Sequence, residues 1–171
     1  QAEWKTMEGL FNEGKAKALG ISNFCRRHID DVLAVAEVKI AASQNQYHVG
    51  LGTAGPNVTD DKEYCKKMGI TYESYGPLGT EGGSMKLIDG PLVTAMGKKY
   101  NVSGVQVSLR WIVQQGIPVI PKTDKRDHLI ENADIFSFNL TQEDMATLTA
   151  QTTPDATTPW WPSIGYQCSL P

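Results

Sequence analysis

The chain has 171 residues, of which 40% are hydrophobic and 20% are charged, and its formal net charge is −3. These values predict one soluble globular domain around a single core. The acidic balance lacks the basic footprint that nucleic acid or an anionic membrane would need, and no apolar run approaches the ~20 residues of a membrane span, so small molecules and proteins are the expected partners.

Helical and strand periods alternate along the chain. Trp4, Met7 and Phe11 recur at helical spacing and predict a first helix. Gly14 is typical of the residue that follows such a helix. The later elements are predicted as strand 17–21, helix 26–38, strand 40–48, helix 60–68, strand 70–75, helices 91–100 and 104–115, strand 117–121, and helices 126–133 and 141–150.

Four strands separated by helices predict βαβ units and a parallel sheet. Two architectures contain four such units: an open doubly wound sheet, and half of a (β/α)8 barrel, whose complete form needs about 250 residues. The length of the chain favours the open sheet, whereas the motifs described below favour the half barrel. We expect residues 1–150 to form this unit and residues 151–171, which show no period, to be a C-terminal loop or tail.

The cysteines are few and widely spaced. Cys25, Cys65 and Cys168 form no C-x-x-C pair, and no His/Cys spacing suits a metal. Their odd number and separation argue against a disulfide framework and a structural zinc site. We therefore expect no metal and a reducing location, the cytoplasm or another reducing compartment such as an organelle stroma.

A glycine-rich segment, HVGLGTAGPN, contains the G-x-G-x-x-G spacing of a dinucleotide-binding loop at Gly50, Gly52 and Gly55. In such a loop a helix starts directly after the glycines and points its N–H groups at the phosphates. Here a proline and an asparagine extend the turn, and the next helix signal is Thr59. An acidic residue follows at Glu73, but it lies inside a predicted strand. We therefore interpret the glycines as loop residues.

The carboxyl ends of the predicted strands are polar, and ligands of parallel α/β proteins bind at such ends. The residues there are Ser22-Asn23, Gln44-Asn45-Gln46-Tyr47-His48, Tyr75-Gly76-Pro77-Leu78-Gly79-Thr80 and Pro121-Lys122-Thr123.

These strand ends offer three kinds of contact. Ser22, Asn23 and a glutamine can supply the donors and acceptors that bind a planar amide. Tyr75 offers a flat face for an aromatic ring. Lys122 suits a phosphate, and Thr123 adds a hydroxyl. A carboxamide, an aromatic ring and a phosphate together describe a nicotinamide dinucleotide.

Each of these residues also has a simpler interpretation. A Ser-Asn pair after a strand is a common helix N-cap. Tyr75 alone is more typical of a core aromatic, and Lys122 alone is more typical of a solvated surface. The coincidence of all these residues at successive strand ends favours the cofactor hypothesis.

Several motifs in a fixed order resemble the aldo-keto reductases over about Trp4–Leu148. They are GxxKALGISNF, SYGPLG, VQVSLRWIVQQGIPVIPKT and HLIENADIFSFNLTQEDM. The resemblance implies NAD(P)H-dependent carbonyl reduction on a (β/α)8 barrel. It places this chain in the C-terminal half of that barrel, as strands five to eight.

The resemblance also implies a role for each site residue. It assigns the nicotinamide carboxamide to Ser22, Asn23 and Gln44, with Gln46 as the alternative glutamine, and ring stacking to Tyr75. It assigns the loop over the pyrophosphate to Leu78 and Thr80. It assigns contacts with the 2′-phosphate to Lys122, Thr123 and His128, and contacts with the adenine to Glu131 and Asn132. His128 stands where the family usually has Arg, and a neutral imidazole cannot give the same charged bidentate contact. This substitution weakens the preference for the 2′-phosphate, but Lys122 still makes NADP(H) the expected cofactor, with NAD(H) as the alternative.

The family's catalytic Asp, Tyr, Lys and His belong to earlier strands that this chain does not carry, so we assign no catalytic residue to it. His48 belongs to the Q-x-[EQ]-x-H strand end and is interpreted as structural. Two functions remain. The chain is part of an active reductase whose other half is separate or missing, or it is an inert remnant that serves as a structural or accessory subunit. In either case a protein partner would cover the open edges of the half barrel.

Overall fold

The structure, a computed structural model, describes residues 1–50, 56–79 and 89–151, with the backbone alone for 56–60. Within these ranges the helices are α1 (Ala2–Asn12), α2 (Arg26–Leu33), α3 (Pro56–Met68), α4 (Pro91–Tyr100), α5 (Gly104–Val113), α6 (Arg126–Ala133) and α7 (Gln142–Thr149). The strands are β1 (Leu19–Ser22), β2 (Ile40–Gln46), β3 (Thr71–Tyr75) and β4 (Val119–Ile120).

The four strands lie in one sheet in the order β1-β2-β3-β4. Strand β1 pairs with β2 in parallel, and β3 pairs with β4 in parallel. Parallel neighbours need a long crossover connection, and helices supply it between successive strands. The prediction of four parallel strands joined by helices is confirmed.

The described residues group into two compact units. The first contains residues 1–45 and 57–73. In β1 the side chains alternate, with Leu19 and Ile21 buried and Ser22 exposed. The other buried apolar residues of this unit are Trp4, Cys25, Ile29, Val32, Ile40, Cys65, Ile70 and Tyr72.

The second unit contains residues 46–56 and 74–166 within the described ranges. Its central helix is α5, which begins with a capping box in which Ser103 and Gln106 each bond the other's backbone N–H. A Cβ on Gly97 of the preceding helix would stand 2.6 Å from the Val102 carbonyl oxygen, so this close approach requires glycine. Buried side chains of α5 include Val107, Leu109, Trp111 and Ile112.

Helix α2 ends at Leu33, earlier than the predicted 26–38, and a side chain binds the backbone a few residues after its end. Glu8 Oε1 accepts from the backbone N–H groups of Glu37 at 2.7 Å and Val38 at 2.8 Å. These N–H groups therefore bond a carboxylate of α1 instead of carbonyl groups one turn earlier. The apolar pattern of residues 34–38 predicted a helix but contained no sign of this long-range bond.

Helix α3 begins at Pro56, earlier than the Thr59 signal predicted. Proline is well tolerated at the first helical position, where its missing N–H has no helical partner. The argument that a turn separates the glycine-rich segment from the helix is therefore wrong. Gly52 and Gly55 lie outside the described residues, and Glu73 lies inside β3 as predicted.

Strand β4 is reduced to two residues from the predicted 117–121. Prolines at positions 118 and 121 have no N–H to donate to a sheet, which limits pairing on both sides. The Pro118 carbonyl still accepts from the Ser74 N–H at 2.8 Å.

The two described cysteines differ. Cys65 is a free, fully buried thiol, and burial raises its pKa. Cys25 is buried and disulfide-bonded. The argument against disulfides that we drew from the cysteine count is therefore wrong for Cys25. Within the described ranges no helix is long and apolar enough to span a membrane.

Candidate functional site

The ends of β1 and β2 bring three of the predicted residues together. Ser22 stands opposite Gln44 in the parallel register. The backbone N–H of Asn23 then donates to the Gln44 carbonyl oxygen at 2.9 Å. Asn23 has a φ of 58°, in the left-handed region that Asn tolerates better than most residues. This backbone conformation ends the strand and turns the chain towards α2.

The side chain of Gln44 is held by Glu73. Gln44 Nε2 donates to Glu73 Oε2 at 2.7 Å, and both side chains are partly buried. The alternative glutamine, Gln46, makes a different contact, because its Nε2 lies 3.2 Å from Nε2 of His48. Each glutamine therefore makes one side-chain contact through its Nε2, and the choice of Gln44 over Gln46 stays a prediction.

His48 is a buried histidine with both ring nitrogens engaged. Its Nδ1 lies 2.8 Å from the Val49 carbonyl oxygen, which can only accept, so Nδ1 carries the proton. Nε2 then accepts from the Gln46 amide. Burial lowers the pKa of His48, which favours the neutral ring. These contacts agree with the structural role predicted for His48.

Tyr75 and Leu78 lie at the end of β3. Tyr75 is half-buried and stands opposite Ile120 in the pairing with β4. Gly76 and Gly79 both have positive φ, and the Gly79 N–H donates to the Gly76 carbonyl oxygen at 2.9 Å, which forms a tight turn around half-buried Leu78. Thr80 lies outside the described residues.

The segment after β4 carries the residues assigned to the phosphate. Lys122 is exposed, and Thr123 is half-buried. Thr123 Oγ1 accepts from the Lys125 N–H at 3.2 Å and lies 3.5 Å from His128 Nδ1. The Thr123 hydroxyl thus joins the strand end to the first turn of α6, next to the histidine that replaces the usual arginine.

Glu131 and Asn132 are half-buried near the end of α6. Asn132 Oδ1 is buried and has no hydrogen-bond partner among the residues that the structure describes. A buried acceptor without a donor costs free energy, so such atoms are notable where a ligand is expected. No cluster of three or more His, Cys, Asp or Glu side chains suited to a metal occurs in the part of the chain that the structure describes.

Comparison with known proteins decides the family. A family model described as "Aldo/keto reductase family" matches residues 1–152. The chain belongs to the aldo/keto reductase family. The resemblance stated from the motifs is confirmed.

Named relatives agree with this assignment. The chain is 40% identical over 144 residues to the glyoxal reductase of Bacillus subtilis (strain 168), a match covering 83% of this chain and 48% of that reductase. It is 36% identical over 150 residues to aldo-keto reductase family 1 member A1 of Xenopus tropicalis, covering 83% and 44%. The chain thus spans about half the length of these relatives.

Solved structures of aldo/keto reductases share the fold. The aldose reductase from Schistosoma japonicum has a TM-score of 0.77 and 32% identity, over 87% of this chain and 46% of that chain. An aldo-keto reductase from a deep-sea metagenome, MGS-M4, has a TM-score of 0.79 and 30% identity, over 87% and 53%. Of the two architectures open to the sequence, this confirms the half barrel and corrects the preference that length gave to an open sheet.

The residues of this aldo/keto reductase chain suit the nicotinamide cofactors that the family generally uses. Ser22, Asn23 and Gln44 provide a hydroxyl and two amides at adjoining strand ends. In the second unit, Lys122 provides a positive charge, and Asn132 provides a buried acceptor to which no described residue donates. These polar and charged groups therefore suit the carboxamide, a phosphate and the adenine base of a nicotinamide cofactor.

The contact of Glu73 with a predicted site residue was not predicted from the sequence. Glu73 was considered as the acid of a dinucleotide-binding loop and then set aside, but it contacts Gln44. The available signal was its place in the strand TYESY, where Glu73 and Tyr75 alternate with buried Tyr72 and Ser74. A carboxylate on a strand face needs a polar partner, and the neighbouring strand offered Gln44.

Proposed function

We propose that this chain is the cofactor-binding half of an NADP(H)-dependent aldo/keto reductase that reduces aldehydes or ketones. The observation that carries the proposal is the parallel pairing of Ser22 with Gln44, continued by the hydrogen bond from Asn23. It gathers one hydroxyl and two amides at the strand ends where ligands of parallel α/β folds bind. Membership of an oxidoreductase family supports the same function.

The first unit would hold the nicotinamide end of the cofactor. The hydroxyl of Ser22 and the amides of Asn23 and Gln44 would bind the carboxamide, which needs one acceptor and two donors satisfied. Fixing the carboxamide fixes the plane of the ring and thereby the face presented to the substrate. For the second unit by itself, we propose that the Tyr75 ring offers a flat face on which an aromatic ring can stack.

The second unit would also hold the adenosine end. Leu78, in its glycine-bounded turn, and Thr80 would cover the pyrophosphate. Lys122, Thr123 and His128 would contact the 2′-phosphate, and Glu131 and Asn132 the adenine. Lys122 favours NADP(H) over NAD(H) because a full positive charge is attracted to the extra phosphate, although His128 gives a weaker contact than arginine would.

Bound NADPH supplies the hydride that such a reduction adds to the carbonyl carbon. The resulting alkoxide needs a proton from a positioned acid, typically a group whose pKa is lowered. Two tyrosines of this chain are unsuited to that task. Burial raises the pKa of Tyr47 to about 12, and the hydrogen bond to Asp30 raises the pKa of Tyr64. Because the resemblance assigns the catalytic residues of the family to earlier strands, we propose that the proton donor lies in the half of the barrel outside this chain.

The substrate class follows from the named relatives as a proposal. The Bacillus subtilis relative is called a glyoxal reductase, and the Schistosoma japonicum structure an aldose reductase. Small dicarbonyls and sugar aldehydes are therefore the first substrates to examine.

The test uses the protein purified from its source, together with the remaining sequence or the partner chain that completes the barrel. NADPH affinity is measured by thermal shift, and NADPH oxidation is followed by absorbance with glyoxal and glucose as substrates. Tight NADPH binding with turnover is expected. Binding without turnover of any carbonyl favours the alternative, an inert accessory subunit. Failure to bind either NADPH or NADH contradicts the proposal.

A matched pair of variants links the result to the site. Asn23→Ala removes a proposed carboxamide contact, and Asn12→Ala removes the same group from the exposed end of α1. We expect the first to weaken NADPH binding and the second to leave it unchanged. Equal effects of the two variants would place the cofactor elsewhere.

A further inference from the structure

Glu73 contacts Gln44 in a way that fixes the orientation of the glutamine amide. The 2.7 Å contact joins Gln44 Nε2 to Glu73 Oε2. An ionised carboxylate can only accept hydrogen bonds, so the amide group facing it must be the nitrogen. The opposite amide rotamer would bring two oxygen atoms together and is excluded by their repulsion. Gln44 Oε1 is therefore directed away from Glu73.

The backbone of Gln44 is fixed independently. Its carbonyl oxygen accepts from the Asn23 N–H at 2.9 Å, and it pairs with Ser22 in the parallel register. With the backbone and the amide nitrogen both held, the position of Oε1 is determined before any ligand arrives. A preorganised acceptor binds a ligand donor without a further loss of side-chain freedom.

None of the ion pairs found among residues 1–50, 56–79 and 89–151 includes Glu73. A partly buried carboxylate that served stability alone would be expected to pair with a cation. Its observed partner is instead a neutral amide at the strand end assigned to the cofactor.

We propose that Glu73 is a positioning residue that orients Gln44 so that Oε1 accepts a hydrogen bond from the carboxamide nitrogen of the nicotinamide. This inference rests on the proposed function. Glu73 itself does not touch the cofactor; it acts through Gln44. Its effect should therefore depend on whether the cofactor carries a carboxamide N–H.

The experiment compares two cofactors that differ at one group. NADPH carries the carboxamide, and reduced 3-acetylpyridine adenine dinucleotide phosphate carries a methyl ketone in its place, with no N–H. We expect Glu73→Leu to weaken NADPH binding by up to about tenfold, the value of one well-formed hydrogen bond between neutral amides, and Glu73→Gln to be intermediate. Binding of the acetylpyridine analogue should change less than about twofold by the same reasoning.

Two controls separate positioning from general damage. Glu63→Gln changes an exposed carboxylate on α3 and should leave both affinities unchanged. In a Gln44→Leu background, adding Glu73→Leu should have no further effect on NADPH affinity, because the two residues act as one unit. Thermal melting of every variant confirms folding.

The outcomes are distinguishable. Equal weakening of NADPH and the analogue, no weakening of either, or additive effects of the two leucine substitutions would overturn the role of Glu73 and leave the proposed function standing. If the wild-type protein binds neither NADPH nor NADH, the proposed function fails before the role of Glu73 is reached.

Discussion

The rings of Tyr47 and Trp111 stack with their centroids 5.1 Å apart and their planes 19° from parallel. The Tyr47 hydroxyl also donates to Gln115 Oε1 at 2.9 Å, and Gln115 Nε2 bonds the Trp111 carbonyl oxygen at 2.9 Å. The residue after β2 is thus joined to helix α5 by one ring stack and a short chain of hydrogen bonds.

Tyr47→Phe should separate these two contributions. It keeps the stack and removes the hydroxyl, and we expect the free energy of unfolding to fall by about 1 kcal/mol. Tyr47→Ala also removes the ring and should cost about 3–5 kcal/mol. Urea unfolding followed by tryptophan fluorescence measures both. Similar losses for the two variants would mean that the stack contributes nothing.

The carboxylate of Glu8 makes the free energy of unfolding depend on pH. Its pKa is lowered to about 2, first by the Val38 N–H and also by Lys5, Glu37 and Trp4. When folding lowers the pKa of a carboxyl group, the group stabilises the folded protein at every pH above the pKa that it has in the unfolded chain, here near 4.5. This contribution is lost as the pH falls towards 2.

We therefore expect Glu8→Gln to lower the free energy of unfolding at pH 6 and to have a progressively smaller effect as the pH falls below 4.5. Urea titrations of both proteins at several pH values give the comparison. Glu3→Gln, an exposed residue of the same helix, serves as the control. A difference that stayed constant down to pH 3 would contradict the role given to Glu8.

Gln114 binds the backbone of Leu140 twice. Its Nε2 donates to the Leu140 carbonyl oxygen at 2.8 Å, and its Oε1 accepts from the Leu140 N–H at 3.0 Å. Gln114→Ala leaves both backbone groups unpaired and should cost about 1–3 kcal/mol. Hydrogen exchange at the Leu140 amide should quicken at the same time.

Gln114→Glu tests the two bonds separately. It keeps the acceptor for the Leu140 N–H and loses the donor to the carbonyl oxygen. We expect the Leu140 amide to exchange more slowly than in Gln114→Ala. If the two variants exchange equally fast, the bond to the Leu140 N–H is not what protects that amide.

Cofactor choice should respond to the segment after β4. On the proposed function, Lys122→Ala is expected to weaken NADPH binding about tenfold and to leave NADH binding within about twofold, because only NADPH carries the 2′-phosphate. His128→Arg should strengthen NADPH binding by a similar factor, since guanidinium is always charged and bidentate. Titration calorimetry with both cofactors measures this.

Lys98→Ala, an exposed residue of α4, is the matched control and should change neither affinity. If Lys122→Ala weakens NADPH and NADH equally, Lys122 does not read the extra phosphate.

The sequence predicted the elements of this fold well, because most of them rest on local signals. The Ser103 cap and the periodic apolar residues of α5 lie within one stretch of chain, and α5 appeared close to its predicted bounds. The predicted end of helix α2 was wrong, and the residue that binds the backbone at positions 37 and 38, Glu8, stands far away in the sequence.

The residues of the candidate site also differ in whether a local sequence signal or a long-range contact identifies them. Ser22, Asn23 and Gln44 could be selected because they follow apolar strands at the expected edge. The role of Glu73 could not, since it depends on which residues of β2 and β3 face each other, and strand register is set by packing of whole strands. The early start of α3 at Pro56 was missed because proline also terminates helices.

The left-handed backbone of Asn23 has an evolutionary consequence. Glycine would adopt this conformation at a lower energetic cost, so Asn23→Gly should be neutral or even favourable for folding. It would also delete the amide that we assign to the cofactor. A sequence selected for folding alone would drift to glycine here, so the persistence of asparagine in related chains would be a record of selection for binding.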